Sequence, residues 1–362
     1  MRYLAILGRQ PEISLAELGA LFERVRVLKP GVATFSSEKK PQIARLGGSL
    51  KLAEEIRVPI LDFLAGLPEG KITIGVSDYS ARASAKSANL AALKLKKILV
   101  RHGRSVRVAE NKAAVLSTAS SLHNGFSGKN ERKVELLKID ETWWKVIGVQ
   151  DIEAYARRDQ ARPARDAKVG MLPPKLAQIL INLCGNLPFG ARILDPFCGT
   201  GVVLQEAALM GYRPYGTDIE PRMVEYSQKN LDWLGNESFL LSVGDATSFQ
   251  WEMPIDAVAC EGYLGRPMSL PPAEIKLKEE KQTCGAIILG FLKNLGGQIR
   301  PGTPVVMAMP AWLRQNGKYS RLEIVDEICE LGYNVENKSR EGLIYARAGQ
   351  VVARDIIILR KK

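Results

Sequence analysis

Three acidic residues follow three successive predicted strands in the second half of the chain. The first stands in a glycine-rich turn that reads DPFCGTG over residues 195–201, between a buried strand and a helix. Asp218 ends the next predicted strand, and Asp245 ends the one after it. Glycines let the backbone approach a ligand closely, and amides at a helix N-terminus point towards it. Because ligands of open α/β sheets bind outside the carboxyl ends of the strands, the three acids predict one binding crevice.

The spacing of the turn decides which ligand it fits. A dinucleotide fingerprint requires a third glycine where this chain has Leu204, and the sequence contains no P-loop lysine motif. The pattern Asp-x-Phe-x-Gly-x-Gly instead resembles the S-adenosylmethionine loop of class I methyltransferases. We expect Asp218 to hold the ribose hydroxyls and Asp245 to accept from the adenine amino group. The predicted cofactor-binding residues are Asp195, Phe197, Gly199, Thr200, Gly201, Asp218, Ile219, Asp245, Ala246 and Glu261.

A second candidate for chemistry is the stretch CEGYLGRP, residues 260–267, where a predicted strand ends beside the same crevice. Glu261 offers a side-chain acceptor, the Gly262 carbonyl offers a second, and Tyr263 offers an aromatic face. Two acceptors and a stacking ring position an exocyclic amino group for methyl transfer, which is catalysis by orientation and electrostatics. Amino methyltransferases usually carry Asp-Pro-Pro-Tyr or Asn-Pro-Pro-Tyr here. Both prolines are missing and Tyr263 comes one residue early, so we predict a shortened or differently folded catalytic loop.

The distribution of charge separates the two halves of the chain. The formal net charge is +12. Residues 1–170 carry 30 basic and 18 acidic residues, whereas residues 171–362 carry 21 of each. All of the excess positive charge therefore lies in the first half, which predicts a region that meets a polyanion.

The strongest basic stretch runs from residue 79 to residue 109 and contains no acidic residue. Lys94, Lys97 and Arg101 are spaced to share one face of a predicted helix, whose Leu95, Ile98 and Leu99 face the core. Phosphate contacts of this kind give salt-dependent affinity without reading bases. The predicted RNA-binding residues are Arg82, Lys86, Lys94, Lys97, Arg101, Arg104 and Arg107.

Length and composition exclude several classes of protein. A chain of 362 residues is long enough for two domains, each with its own core. Its five cysteines include no C-x-x-C pair, and it has two histidines, so we expect a reducing cytoplasm and no metal site. The longest apolar stretches are too short to span a bilayer, so no membrane association is expected.

The periodicity of apolar residues predicts two different fold classes. Regular alternation of strands and helices in the second half predicts a parallel, doubly wound α/β sheet. Its last stretch, residues 343–361, reads as two strands that form a C-terminal antiparallel hairpin at one sheet edge. The first half reads as an α+β domain. Its predicted strands are 2–8, 71–79, 105–110 and 134–140, and its predicted helices are 14–22 and 84–103.

Helix boundaries are also predicted. Ser14 and Glu17 have the spacing of a capping box at the start of the first helix. Ser84 is suited to cap the second helix and Gly103 to end it. In the second half, Pro173 and Pro174 predict a helix start.

Several stretches together resemble one known family. They are YLAILGRQPEISLAELGALF (3–22), LSTASSLHNGFSGKNERKVELL (116–137), LPPKLAQILINL (172–183) and DPFCGTG (195–201). They resemble the tRNA guanosine-N2 methyltransferases of archaea and eukaryotes that carry an N-terminal THUMP domain. The resemblance implies a class I, Rossmann-like methyltransferase domain, S-adenosylmethionine as cofactor and tRNA as partner. His123 and Asn124 lie in the THUMP-like stretch, where we interpret them as a structural turn.

The resemblance also divides the chain. It predicts a THUMP-like RNA-binding region with an N-terminal ferredoxin-like part over residues 1–157, a linker over 158–170 and the methyltransferase domain over 171–362. Methylation of the N2 amino group of a guanosine is the main functional hypothesis. The altered catalytic loop leaves two alternatives open, namely a methyltransferase for another RNA base or atom and an inactive protein that binds both cofactor and RNA.

Overall fold

A mixed eight-stranded sheet forms the first of two structural units. The computed structural model describes residues 1–166, 171–236, 238–252, 254–337 and 343–362, which divide into units of residues 1–154 and 155–362. The strands of the first unit are β1 (Arg2–Leu7), β2 (Glu23–Lys29), β3 (Val32–Ser36), β4 (Ser49–Glu55), β5 (Ile72–Asp78), β6 (Val106–Val108), β7 (Lys133–Ile139) and β8 (Thr142–Val149). Their order is β2-β3-β1-β4-β8-β7-β5-β6, and β5 runs parallel to both of its neighbours. The four predicted strands of this half are confirmed as β1, β5, β6 and β7.

Helices cover the sheet of the first unit. They are α1 (Pro11–Leu21), α2 (Ile60–Ala65), α3 (Ala85–Arg101) and α4 (Thr118–His123). The residues predicted to begin and end helix α3 are confirmed. Ser84 Oγ accepts from the Ser87 backbone amide, the Ser87 hydroxyl accepts from the Ser84 amide, and Gly103 adopts a φ of +79° just beyond the helix. Leu95 and Leu99 are buried against the sheet, as predicted.

The predicted start of the first helix was wrong. Helix α1 begins at Pro11, and both Ser14 and Glu17 lie inside it and are buried. The Glu17 carboxylate accepts from the backbone amides of Gly47 and Gly48, at 2.9 and 2.8 Å. Proline at the first helical position needs no partner for its nitrogen. The acid that the sequence assigned to a capping box therefore stabilises a distant turn instead.

A buried polar network joins three strands of the first unit. Lys51 Nζ lies 2.5 Å from Glu135 Oε1, and both side chains are almost completely buried. Ser77 donates to the same carboxylate oxygen and Ser121 donates to the other, each at 2.6 Å. Burial lowers the pKa of Lys51, and the neighbouring carboxylate of Glu135 raises it. The network ties β4, β5, β7 and α4 together.

The second unit is built on a nine-stranded sheet. Its strands are β9 (Arg192–Asp195), β10 (Arg213–Asp218), β11 (Leu240–Val243), β12 (Ala257–Glu261), β13 (Pro304–Leu313), β14 (Tyr319–Arg321), β15 (Tyr333–Val335), β16 (Ile344–Tyr345) and β17 (Val352–Lys361). The main path is β11-β10-β9-β12-β13-β17-β15, with β14 paired to β13 and β16 to β17. Strands β9 to β13 pair in parallel, as predicted for a doubly wound sheet.

Helix α5 (Ile152–Gln160) includes the boundary between the two units at residues 154 and 155. The other helices of the second unit are α6 (Pro174–Leu183), α7 (Val202–Leu209), α8 (Pro221–Trp233), α9 (Glu274–Gly296) and α10 (Val325–Glu330). Helix α6 starts at the predicted proline pair, with Pro173 as its N-cap. Buried side chains from α9 and the central strands form the largest apolar core of this unit. Among the described residues, no helix is both long and apolar enough to cross a membrane.

The predicted C-terminal hairpin exists, but its place in the sheet differs from the prediction. Strands β16 and β17 pair antiparallel, yet β17 lies between β13 and β15 rather than at an edge. Ile356, Ile357 and Leu359 of β17 are fully buried. Buried residues on both faces of a strand require cover on both sides, which an interior position provides.

The segment predicted as a linker, residues 158–170, is partly packed against the second unit. Helix α5 extends to Gln160, and Arg158 pairs through two nitrogens with Glu206 of α7 at 2.6 and 3.2 Å. The Ala164 backbone exchanges hydrogen bonds with the side chain of Asn230. Residues 167–170 of this predicted linker lie outside the described residues.

The buried ion pair of the first unit yields a stability prediction. Replacing Lys51 with Met leaves the Glu135 carboxylate buried with two hydroxyl donors and no cation. Breaking a buried pair on one side costs about 3–5 kcal/mol. We expect amide hydrogen exchange of β4, β5 and β7, measured by mass spectrometry, to report a free energy of opening lowered by about that amount.

The matched control is Lys29→Met, because Lys29 pairs at 2.6 Å with Asp140, whose side chain is mostly exposed. An exposed pair contributes about 0–1 kcal/mol. Equal exchange behaviour of the two variants would show that burial gives the Lys51 pair no special weight.

Candidate active site

Two glycines shape the turn between β9 and α7. Gly199 and Gly201 have φ values of +51° and +76°, which other residues adopt at a cost. A Cβ at position 201 would lie 2.8 Å from Ser227 Oγ and 3.1 Å from its Cα, so the turn packs directly on α8. A Cβ at position 199 would meet nothing nearer than the Phe197 carbonyl oxygen at 3.9 Å. The open side of Gly199 is therefore space that a ligand can occupy against the backbone.

Asp218 at the end of β10 holds the glycine turn. One carboxylate oxygen accepts from the Gly199 amide at 2.9 Å, and the other accepts from the Glu220 amide at 3.0 Å. Burial raises the pKa of this carboxyl group, and the backbone hydrogen bonds lower it. The next residue, Ile219, is largely exposed. The acid is thus fixed in place at the carboxyl end of its strand beside an exposed apolar side chain.

Asp195 ends β9, the strand between β10 and β12, and is almost completely buried. Its carboxylate accepts from the Phe197 amide at 3.2 Å. Burial raises the pKa of Asp195 well above its ordinary value, and the carboxylates of Asp218 and Glu261 raise it further. Asp195 therefore lies within electrostatic reach of both Asp218 and Glu261.

Asp245 differs from the other two acids because its side chain is exposed. Its Oδ1 accepts from both the amide and the hydroxyl of Thr247 at 2.8 Å, and these bonds lower its pKa. Asn294 of α9 donates to the Ala246 carbonyl at 3.0 Å, and this contact stabilises the turn that contains Asp245. Ala246 itself is buried, and Thr200 is nearly so, with its carbonyl held by Asn230.

The predicted catalytic residues leave the sheet at the end of β12. The Gly262 amide donates to the Ala308 carbonyl at 3.0 Å, which continues the pairing with β13 by one residue. Gly262 is buried, and a Cβ there would lie 3.1 Å from Met307 Sδ. Tyr263 is 39% exposed, which leaves part of its ring open for stacking. The shortened loop thus begins as an extension of the sheet.

Glu280 of α9 anchors the next part of this loop. Gly265 has a φ of +83°, and a Cβ there would lie 2.6 Å from Glu280 Oε2. The same carboxylate oxygen accepts from the Arg266 amide at 3.2 Å. The loop that follows the catalytic residues therefore turns sharply against a buried acid.

Arg354 of β17 is a site residue that the sequence analysis missed. Its Nε donates to Glu261 Oε1 at 2.7 Å, and its Nη1 donates to Gln350 Oε1 at 3.1 Å. The side chains of Arg354 and Glu261 are 4% and 16% exposed. The signal available in the sequence was a charged pair, Arg354 and Asp355, inside an otherwise apolar strand.

The residues present fit S-adenosylmethionine. The open side of Gly199 admits a ligand against the backbone, and the glycine turn leads into the N-terminus of α7. Asp218 lies beside this turn at the carboxyl end of β10, Asp245 has an exposed carboxylate, and Ile219 has an exposed apolar side chain. Carboxylates also suit a cationic ligand such as a sulfonium. Within the described ranges, no group of three or more His, Cys, Asp or Glu side chains could hold a metal ion.

The predicted RNA-binding residues lie in the first unit, mainly on and after α3. Arg82, Lys86, Lys94, Lys97, Arg101 and Arg107 are exposed. Arg104 is different, because its guanidinium donates to the Leu67 and Pro68 carbonyls at 2.7–3.1 Å. It stabilises the turn after α2. Asn124 caps α4 and donates to the Ser120 carbonyl, so this residue of the THUMP-like stretch has a structural contact.

An open cleft of about 630 Å³ lies beside α3 and the edge strand β6. It is lined by Lys71, Asn89, Leu93, Lys96, Ser105, Val106, Arg107, Val108 and Glu110. Three cations and one acid make the lining basic. The cleft therefore adds Lys71 and Lys96 to the basic surface that the sequence predicted.

Gly201 offers a test of the cofactor site that separates contact from backbone strain. Gly201→Ala places a methyl group against Ser227 and distorts the turn, so we expect S-adenosylmethionine affinity to fall about 10-fold or more by isothermal titration calorimetry. The control is Gly302→Ala, because Gly302 has a similar φ of +84° and no atom within 4 Å of its Cβ position. Cofactor binding by Gly302→Ala should equal wild type. Unchanged binding by Gly201→Ala would place the cofactor elsewhere.

Asp218 gives a second cofactor prediction. Asp218→Ala removes both the ribose acceptor and the anchor of Gly199, so the same titration should show affinity at least about 30-fold weaker, or about 2 kcal/mol. Asp256→Ala is a suitable control, since Asp256 pairs with the Arg192 amide at the start of the sheet strands, away from their carboxyl ends. A cofactor affinity that survives Asp218→Ala would contradict the assignment.

Comparison with known proteins agrees with this geometry. Residues 162–281 match the model of the UPF0020 family, described as an RMKL-like methyltransferase domain. A tRNA (guanine(10)-N2)-dimethyltransferase of Methanothermobacter thermautotrophicus is 35% identical over 43% of this chain, and the match spans 44% of that relative's own length. An enzyme of the same name from Pyrococcus abyssi is 29% identical over 75% of this chain and 80% of its own.

Among solved structures, TrmN from Thermus thermophilus aligns with 100% of both chains at 18% identity and a TM-score of 0.47. The fold class and the cofactor that the sequence indicated are confirmed, and the matches agree with the resemblance to tRNA guanosine-N2 methyltransferases. The second unit is a class I methyltransferase domain for S-adenosylmethionine, and the chain is similar to the tRNA (guanine(10)-N2)-dimethyltransferases of M. thermautotrophicus and P. abyssi.

Proposed function

We propose that the protein methylates the exocyclic N2 amino group of a guanosine in tRNA. The observation that carries this proposal is the position of Glu261 and Gly262 at the carboxyl end of β12, beside the strand that ends in Asp195. Two acceptors for an amino group thus adjoin the cofactor turn. The names of the relatives from M. thermautotrophicus and P. abyssi support guanine N2 as the target and dimethylation as the extent.

The chemistry requires orientation more than acid strength. The lone pair of an exocyclic amine is delocalised into the ring, so the enzyme must hold the nitrogen in line with the methyl donor. S-adenosylmethionine supplies the methyl carbon, whose bond to sulfur breaks with the electron pair leaving on sulfur. The Glu261 carboxylate and the Gly262 carbonyl accept the two amino hydrogens, and Tyr263 stacks on the base.

The proton released by the nitrogen also needs an acceptor. After transfer the nitrogen carries one proton more than the neutral product, and the Glu261 carboxylate is the nearest base to it in this arrangement. From there the proton passes to solvent water. The exposed part of Tyr263 and the surface loop after it give the site access to water.

The first unit is proposed to bind the tRNA as a THUMP-like RNA-binding region. Exposed cations on α3 and at the cleft beside β6 support this role, since they have no acid among them from residue 79 to residue 109. The set is Arg82, Lys86, Lys94, Lys97, Arg101 and Arg107, with Lys71 and Lys96 added. Arg104 is left out because carbonyl groups already take its donors. Five free cysteines, four of them buried, support a reducing compartment such as the cytoplasm.

Nucleoside mass spectrometry tests the proposed reaction. Purified protein, unmodified tRNA transcript and isotope-labelled S-adenosylmethionine should yield labelled N2-methylguanosine and N2,N2-dimethylguanosine. Label on another nucleoside would move the target to a different atom. An absence of label in any RNA, with cofactor binding intact, would favour a binding protein with an inactive loop.

Substitutions at Glu261 connect this reaction to the loop. Glu261→Gln keeps the shape but has one acceptor oxygen, so we expect the methylation rate to fall about 100-fold while cofactor affinity stays within about threefold. Glu336→Gln is the control, since Glu336 is another strand-end acid paired with an arginine, at a half-exposed position. A wild-type rate for Glu261→Gln would remove this residue from the reaction.

The RNA surface predicts a salt-dependent loss of affinity. Reversing Lys94, Lys97 and Arg101 to Glu should weaken tRNA binding about 100-fold at low salt, and the slope of log affinity against log salt should become about 2–3 units less negative. A reversal of Arg26, Lys39 and Lys40, which are exposed elsewhere on the same unit, changes the net charge equally. If both triple variants lose affinity alike, net charge rather than the α3 surface governs binding.

A further inference from the structure

We infer that Arg354 positions Glu261 for the amino group and replaces the rigidity that two prolines would give the loop. This inference rests on the proposed function. Nothing in the local sequence around residue 261 indicates it, because the two residues are 93 positions apart in the chain.

The contact is a buried, directed ion pair. Arg354 Nε donates to Glu261 Oε1 at 2.7 Å, which is a short charge-assisted hydrogen bond. Both side chains are largely shielded from water. An arginine hydrogen bond fixes the direction of its partner as well as its charge, because the guanidinium is planar and its donors have fixed directions. The Glu261 carboxylate therefore has a defined orientation.

The sheet itself places Arg354 opposite Glu261. Glu261 on β12 is in register with Ala308 on β13, and Arg354 on β17 is in register with Pro310 on β13. The guanidinium thus reaches across one strand to the acid. Gln350 accepts from Nη1 on the same arginine and restrains the rotation of the guanidinium.

The hydrogen bond from Arg354 leaves one oxygen of the Glu261 carboxylate available. In the described part of the chain, Glu261 makes its hydrogen bond through Oε1 alone. Oε2 therefore retains its capacity to accept an amino hydrogen. A carboxylate held through one oxygen and open at the other suits the role of an oriented acceptor.

Charge supplies a second reason for the arginine. Asp195 lies within electrostatic reach of both Glu261 and Asp218, and it is almost completely buried. Like charges in a shielded site raise the cost of ionisation. Arg354 places a positive charge beside the one acid that accepts a hydrogen bond from the substrate in the proposed reaction.

The loop chemistry explains why positioning is needed here. Gly262 stands where the usual motif has proline, so the backbone that carries the second acceptor gains freedom. Glutamate also has one methylene more than aspartate and an extra rotatable bond. Arg354 restrains the side chain, while Glu280 restrains the loop at Arg266. Two tertiary contacts thus do what ring constraints do in the four-residue motif.

Steady-state kinetics of tRNA methylation test the inference with three variants. Arg354→Gln should lower kcat about 100-fold, because a displacement near 1 Å costs about that much, while KM for tRNA and cofactor affinity stay within about threefold. Arg354→Lys keeps the positive charge and hydrogen-bond donors but loses their fixed directions, so its kcat should be about 10-fold higher than that of Arg354→Gln. Arg360→Gln is the control. Arg360 lies on the same strand but away from the site, and its Nε is 2.6 Å from Glu336 Oε1. Its kcat should stay within about twofold of wild type.

A double-mutant cycle separates positioning from general stability. If Arg354 acts through Glu261, Arg354→Gln should lower kcat no further in a Glu261→Gln background. Additive losses would mean that Arg354 acts independently of Glu261, and a wild-type kcat for Arg354→Gln would overturn the inference directly. Cofactor titration shows that each variant is folded, and Arg354→Lys carries the test if Arg354→Gln fails to fold. An inactive wild type would refute the proposed function itself, whereas these outcomes concern Arg354 alone.

Discussion

Three carboxylates at one edge of a parallel sheet are the constraint around which the second unit is built. Strands β10, β9 and β12 are neighbours that run in the same direction, so Asp218, Asp195 and Glu261 necessarily end close together. Burial raises the pKa of Asp195 well above its ordinary value, and the carboxylates of Asp218 and Glu261 raise it further. A site of this kind is stable as an apoprotein only if each acid has a compensating contact. It also gains free energy when a cationic ligand such as a sulfonium binds nearby.

The compensating contacts of the three acids come partly from nearby backbone amides and partly from a side chain that is distant in the sequence. Asp218 is compensated locally, by backbone amides of the glycine turn and of the start of α8. Asp195 is held by the amide of Phe197, two residues further along the chain. The partner of Glu261 is instead a side chain that comes from β17. The interior position of β17 in the sheet is therefore a requirement of the site as well as of the apolar core.

The features that the sequence could predict are those encoded by neighbours in the chain. The glycine turn, the caps of α3 and the strand-end acids follow from spacing over a few residues, and all appear in the structure. The start of α1 could not be predicted because Glu17 serves Gly47 and Gly48 some 30 residues away. The place of β17 and the contact of Arg354 with Glu261 depend on strand order, which local periodicity does not specify. Arg104 was predicted to bind RNA because it lies in a basic stretch without acids, and its contacts with the carbonyls of residues 67 and 68 could not be foreseen from that stretch.

The Lys51–Glu135 and Arg354–Glu261 pairs show how similar contacts serve different ends. Glu135 accepts from Lys51 and Ser77 through one oxygen and from Ser121 through the other, so its acceptor capacity is used within the first unit. Such a fully satisfied network rigidifies the unit in which it is buried. Glu261 accepts from Arg354 through Oε1, and in the described residues its Oε2 has no hydrogen-bond donor. An acceptor that keeps free capacity can take a hydrogen bond from outside the protein, and in the proposed reaction the amino group of a guanine supplies it. The difference between a structural and a functional carboxylate thus lies in how many of its lone pairs the fold itself uses.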